Sequence, residues 1–250
     1  MGELTRIESD DGVMLYDPSC VGNFTADWFD PQHWGTRGML SGQARGRGRT
    51  VFFDSDGVSY ALRHYRRGGM FASLLGDRYP YVGVSASRPW RELQLMYALH
   101  AEGLPVPRPV AARVVRCGAL YRGDLITLRL RDTHTLAERL AAACSAGSTL
   151  DTSVFAAIGT TIARFHLAGV DHADLNAHNV LFDVQGAVYL LDFDRGRRRQ
   201  PGLWQDANLV RLRRSILKVC DGLSPALFDD ERWAALLLAY RDTLVASARA

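Results

Sequence analysis

The run His172-Ala-Asp-Leu-Asn-Ala-His-Asn179, followed thirteen residues after Asn179 by Asp192 in Leu190-Leu-Asp-Phe-Asp194, constrains this chain more than any other stretch. Between Asn179 and Asp192 lie two short β-rich runs, 180–182 and 188–191, around a turn at Gln185-Gly186. A hairpin there folds both ends of the segment back together. Just upstream, Phe155, Ile158, Ile162 and Phe165 recur at helical spacing over 151–168, and Gly169 ends that pattern. A helix thus delivers the chain to a loop where Asp174, Asn179 and Asp192 converge. Carboxylate plus amide oxygen is a donor set suited to Mg²⁺, a hard cation that takes phosphate oxygens as further ligands. A separate aspartate can orient an attacking hydroxyl and accept its proton. One Asp before a strand is an ordinary turn residue or cap; the combination at this spacing points to chemistry.

The rest of the chain divides in character. Val51-Phe-Phe53 and 58–65, joined through Asp56-Gly57, predict a hairpin, with Gly42, Gly46 and Gly48 just ahead of it. Pro89 opens a helix carrying Leu93, Met96 and Tyr97, which stops at Gly103 before Pro105, Pro107 and Pro109. Strands are expected at 111–115 and 125–130. Thr135 with Glu138 then forms a capping box over Leu136 and Leu140, and helices dominate from there, including one with Trp233, Leu236, Leu237, Tyr240 and Leu244 on a stripe. The pattern predicts an α+β protein of two lobes, 1–131 and 132–250, with a cleft near residue 131. Residues 1–37 read as an irregular extension; its Trp28, Phe29 and Trp34 either pack onto the body or touch a membrane interface.

Composition narrows the function. At 47% hydrophobic and 23% charged residues the chain is neither disordered nor membrane-embedded. Its formal charge of +3 is too small by itself to imply nucleic acid, and no stacking aromatics interleave the basic runs. Among the 30 basic residues only Lys218 is a lysine, so no mechanism can use a lysine from the first two hundred positions. The four cysteines, Cys20, Cys117, Cys144 and Cys220, lie far apart, which fits reduced thiols better than a zinc site or a disulfide framework. Neither a signal peptide nor an apolar run long enough to span a bilayer is present.

The H-x-D-x4-N run and the D-F-x run resemble the signatures of the protein-kinase-like superfamily. That resemblance implies a bilobal kinase-like fold: an N-terminal antiparallel sheet lobe with one main helix, and a compact helical C-terminal lobe. It implies Asp174 as catalytic base and Asn179 and Asp192 as Mg²⁺ ligands, with ATP as phosphoryl donor. Kinase-like enzymes place an A-x-K on a strand of the first lobe; here period two puts Ala61 and Arg63 on one face, and Arg63 stands where lysine is usual. Arg63 is then the phosphate-binding cation, or else an ordinary strand arginine. Glu92 is its orienting acid, with Glu102 as rival. Gly46 and Gly48 belong to the loop over the phosphates, and 128–131 is the hinge that meets adenine. Asp194 replaces the usual glycine of the metal motif, which restricts backbone freedom there.

Six stretches, LRHYRRGG from Leu62, DRY from Asp77, GLPVP from Gly103, YRGDLIT from Tyr121, HADLNAHN from His172 and LLDFDRG from Leu190, together resemble the 3-deoxy-D-manno-octulosonic acid (Kdo) kinases of lipopolysaccharide assembly. This resemblance implies ATP-dependent phosphorylation of the 4-hydroxyl of a Kdo residue on lipid A precursor. It also implies a peripheral enzyme on the anionic cytoplasmic face of the inner membrane. An acceptor bearing carboxylate and phosphates calls for arginines, and Arg66, Arg67, Arg195 and Arg197 are the candidates; such runs also occur as plain solvated faces. The 56 residues after Asp194 contain no A-P-E motif, so a small, sugar or lipid-linked acceptor is expected over a peptide. The alternatives are a heptose kinase of the same pathway, an antibiotic phosphotransferase (which would want acids where this chain has arginines), a nucleic-acid-binding module and a catalytically inactive kinase-like scaffold.

Overall fold

A computed structural model describes residues 3–10, 12–44, 50–66 and 76–249. The chain divides into two units, Met1–Glu102 with Pro107–Arg129, and Gly103–Val106 with Leu130–Ala250.

The first unit is built on an antiparallel sheet in the order β1-β2-β7-β8-β5-β4-β3, with β6 added against β8. These are β1 (Thr5–Ser9), β2 (Gly12–Tyr16), β3 (Leu40–Ala44), β4 (Thr50–Ser55), β5 (Val58–His64), β6 (Tyr79–Pro80), β7 (Pro109–Cys117) and β8 (Leu120–Leu128). Asp56 and Gly57 both take positive φ, 50° and 76°, the requirement of the two-residue turn that joins β4 to β5. The short helix α1 (Pro31–Thr36) precedes β3, and α2 (Arg88–Ala101) follows β6 with Pro89 in its first turn, where a missing N–H costs nothing. α2 lies close on β8: a Cβ at Gly123 would stand 2.5 Å from Pro89 Cγ.

Two expectations need correction here. Residues 1–37 are not irregular; they supply β1, β2, a 3₁₀ turn at Ala26–Phe29 and α1. Trp28, Phe29 and Trp34 are buried, with Trp34 stacked 4.2 Å from Phe53 and its indole N–H donated to the Trp28 carbonyl. They join Met14, Tyr60, Leu62 and Ile126 in one core cluster, so none of the three is a membrane anchor. The strands expected at 111–115 and 125–130 are longer and form one hairpin, turned at Gly118 (φ 66°). Arg122 and Asp124 mask the first half of β8 because their charges are paired rather than solvated.

The second unit holds α3 (Leu136–Ser145), α4 (Thr152–Leu167), α5 (Trp204–Asp221) and α6 (Asp230–Arg249), with β9 (His134–Thr135), β10 (Val170–Asp171), β11 (Val180–Phe182), β12 (Val188–Leu190) and β13 (Arg197–Arg198). The Thr135–Glu138 capping box starts α3 and Asp151 caps α4. α4 and α6 cross so closely that a Cβ at Gly159 would lie 2.1 Å from the Leu236 carbonyl oxygen. β11 and β12 form the expected hairpin, with Val180 opposite Leu190.

Candidate active site

Each unit presents its own group of functional side chains. In the second unit, α4 ends at Gly169 (φ 70°), where a Cβ would meet the Arg199 carbonyl oxygen at 2.8 Å. The chain then pairs as β10 with β13 and enters the 172–179 loop. His172 is the hub of that loop. It is buried at 2% exposure, and its ring lies 4.8 Å from that of Phe193. Its Nε2 donates to the Leu191 carbonyl at 2.8 Å, while its Nδ1 accepts the Asp174 backbone N–H at 3.3 Å. One donor and one acceptor define a neutral imidazole of a single tautomer. Burial, the main cause, holds its pKa below the ordinary range. This ring ties the loop to the segment that carries Asp192.

Four more residues fix the loop. The His172 N–H donates to Asn208 Oδ1 at 3.1 Å, and Asn208 Nδ2 donates to Asp171 Oδ1 at 3.0 Å and to the Trp204 carbonyl at 3.0 Å. Asp171 Oδ2 in turn accepts Arg199 at 3.1 Å, and the Ala177 N–H donates to Ser215 Oγ at 3.1 Å. Burial, the largest single cause, pushes the Asp171 carboxyl up, but hydrogen bonds from Asn208, Arg199 and Arg197 together with the Arg199 charge hold it below its usual range. α5 therefore braces the loop through Asn208 and Ser215, while Asp174 is left exposed.

Asn176 Nδ2 and Asn179 Nδ2 both donate to the Asp174 carbonyl, at 3.0 and 2.9 Å. This commits the nitrogen of Asn179 to the loop and leaves Oδ1 as its one acceptor atom. The Leu191 N–H donates to the Asn179 carbonyl at 2.9 Å, so the hairpin brings Asn179 beside the residue preceding Asp192. Asp192 sits at φ 64°, a conformation costing about 1 kcal/mol outside glycine and concentrated at functional positions. An amide oxygen and a carboxylate thus meet the hard-oxygen preference of Mg²⁺. Asp194 is not among the positive-φ residues, so no glycine is needed where the kinase-like motif has one.

In the first unit, Arg63 grips Glu92 with two parallel hydrogen bonds, both 3.3 Å, a fork only guanidinium can make. Glu92 is buried on α2 and also accepts the Tyr65 hydroxyl, and the Arg63 cation lies 4.6 Å from the Tyr65 ring centroid. Ala61 shares this face of β5. Glu92, not Glu102, orients Arg63; Glu102 is the exposed residue that closes α2. In the expected hinge, the N–H groups of Leu128 and Arg129 donate to the carbonyls of Arg108 and Ser59, and the Leu130 carbonyl accepts the Thr133 hydroxyl at 3.1 Å.

The basic candidates divide. Arg195 is exposed. Arg197 lies 3.5 Å from Asp171 and Arg198 donates to the Ala168 carbonyl, so part of the basic run is structural. Arg66 is exposed at the end of β5, whereas Gly46, Gly48 and Arg67 fall outside the described residues. Sequence reasoning missed Asn208, Asp171, Ser215 and Tyr65. One signal was available: Asn208 stands on the apolar stripe of α5 with Trp204, Leu209 and Leu212, where an amide has to be satisfied inside the protein.

Residues 31–240 match the family described as "Lipopolysaccharide kinase (Kdo/WaaP) family". The chain is 43% identical over 209 residues to a 3-deoxy-D-manno-octulosonic acid kinase of Stenotrophomonas maltophilia (strain R551-3), covering 83% of this chain and 81% of that one. It is 44% identical to the protein of the same name from Xanthomonas axonopodis pv. citri (strain 306), with the same coverage. A third relative of that name, from Vibrio parahaemolyticus, is 38% identical over 82% of this chain and 84% of its own. Among solved structures, WaaP in complex with acyl carrier protein aligns with a TM-score of 0.55 at 18% identity, over 85% of this chain and 87% of that one, which is a likeness of fold.

Proposed function

The chain belongs to the lipopolysaccharide kinase (Kdo/WaaP) family, and from that premise we propose that it transfers the γ-phosphoryl group of ATP to the 4-hydroxyl of a Kdo residue on lipid A precursor. The observation that carries the reading is the 172–179 loop, held by neutral His172 and by α5 so that an exposed Asp174 stands on a rigid frame. It agrees with relatives that bear the Kdo kinase name at 38 to 44% identity.

Asp174 aligns the acceptor hydroxyl and takes its proton as the oxygen attacks in line. Arg63, kept in one rotamer by Glu92 and Tyr65, takes the phosphates of the nucleotide. Asn179 and Asp192 hold Mg²⁺, which when bound offsets phosphate charge. Most of the acceleration is positioning and fixed charge. Arg66, Arg67 and Arg195 receive the anionic groups of the acceptor; Arg197, shared with Asp171, contributes from the rim. Meeting a lipid-linked acceptor makes the enzyme peripheral at the anionic cytoplasmic leaflet of the inner membrane, and no helix among the described residues is long and apolar enough to cross it.

The test is phosphate transfer from labelled ATP with Mg²⁺ to lipid A precursor with and without Kdo. Label confined to the Kdo-bearing lipid supports the reading. Label on a heptose-bearing acceptor alone, or on none while ATP still binds, overturns it.

A further inference from the structure

His64 of LRHYRRGG, Asp77 of DRY and Asp124 of YRGDLIT have no part in the chemistry above. On the face of β5 opposite Arg63 the two carboxylates meet at His64. Its Nδ1 lies 2.7 Å from Asp124 Oδ1 and its Nε2 lies 3.0 Å from Asp77 Oδ2. Both partners are carboxylate oxygens, so both ring nitrogens must donate, and only imidazolium has two N–H groups. The carboxylates are themselves backed by cations: Asp124 accepts Arg113 Nε at 3.0 Å, and Asp77 accepts Arg122 Nε at 3.2 Å. Asp124 is buried at 4% exposure. Among the described residues, Arg66, Asp27 and Asp30 are the further charges that line with His64 a cavity of about 570 Å³.

Arg63 and Tyr65 point from β5 toward Glu92, and His64 between them is bound from the other side. The last rung of the strand follows at once, the Tyr65 N–H donating to the Gly123 carbonyl at 3.0 Å. We propose that His64 is a positioning residue for nucleotide binding: as an imidazolium bridging Asp77 and Asp124, it fixes the end of β5 and with it Arg63. The proposal rests on the reading of Arg63 as the phosphate-binding cation.

A pH dependence follows. The hydrogen bond to Asp124, outweighing burial, raises the His64 pKa above its ordinary 6.5. A raised folded-state pKa means the clamp is complete below the ordinary value and is released as pH climbs through the higher one. A neutral ring would have to present a lone pair to one of the two carboxylates.

The experiment is calorimetric binding of Mg²⁺–ATP to the full chain from about pH 6 to about 9, beside ¹⁵N NMR of the histidine rings of the wild-type protein. The wild type loses affinity roughly tenfold as His64 deprotonates, the scale on which groups that orient a ligand act. His64→Gln binds roughly tenfold more weakly at the low end and lacks this fall. Asp77→Asn, which leaves Asp124 in place, moves the midpoint to lower pH, a shift that a merely structural role does not produce. A neutral His64 tautomer at about pH 7 in the wild type overturns the proposal even if His64→Gln does not fold. So does a His64→Gln variant with wild-type affinity and profile. Unchanged nucleotide affinity in Arg63→Ala instead overturns the reading of Arg63, and the ring spectra tell the two failures apart.

Discussion

Replacing His172 with phenylalanine separates the tether from the packing. Phenylalanine keeps a ring against Phe193 but can neither donate to the Leu191 carbonyl nor accept from the Asp174 N–H. Each abandoned partner costs about 1–3 kcal/mol when desolvated. The Leu191 carbonyl, bonded at 2.8 Å to a fully enclosed ring, belongs in the middle of that range; the 3.3 Å bond at the more open Asp174 belongs at its lower end. The expected loss of stability is therefore about 2–4 kcal/mol, read as the shift in urea unfolding. Turnover suffers more than stability explains, because the loop bearing Asp174 loses one of its two links to Leu191, beside Asp192, and a misplacement of about 1 Å costs roughly a hundredfold. The assay is phosphate transfer at saturating ATP, under conditions where the variant is fully folded. A His172→Phe protein within about 0.5 kcal/mol of wild type and with full turnover would refute the argument that this ring joins the two segments.

Three other outcomes follow from particular contacts. Burial pushes His166 down to about 4, so its neutral form supports the fold fully above pH 6.5, and that support, up to about 3 kcal/mol, is lost as pH falls toward 4; acid titration of unfolding should show this limb and His166→Phe should shrink it. Gly159→Ala should destabilise by about 1–3 kcal/mol despite alanine's better helix propensity, since the new Cβ meets the backbone of α6 at 2.1 Å; thermal melting checks it. Arg63→Lys replaces a fork by a point charge, and steady-state kinetics should show the KM for ATP up roughly tenfold, the worth of one charge-assisted hydrogen bond, with kcat little changed.

What could be read from the chain was local. Asp56-Gly57, the Thr135–Glu138 box and the 180–190 hairpin are each set by residues within a few positions of one another, and the structure has all three. β1 and β2 were illegible for the opposite reason. β1 is exposed along nearly its whole length, so it shows no apolar alternation, and β2 pairs with β7 almost a hundred residues away. β8 hid its first half because Arg122 and Asp124 look like loop residues until their distant partners are known. At the candidate site, spacing exposed Asp174, Asn179 and Asp192, but not the Asn208 amide that holds the loop from another helix. Spacing alone does not separate Arg195 from Arg197 as acceptor candidates; in the structure Arg197, Arg198 and Arg199 contact Asp171 and the Ala168 carbonyl, partners that no local pattern shows.

The central claim is that Asp174, on its braced loop, accepts the proton of the acceptor hydroxyl. Single-turnover phosphate transfer to Kdo-bearing lipid A precursor by Asp174→Asn, with ATP affinity measured on the same protein, tests it most directly. The account predicts a rate lower by about 10²–10⁴-fold with nucleotide binding and folding unchanged. Wild-type transfer by that variant would contradict it.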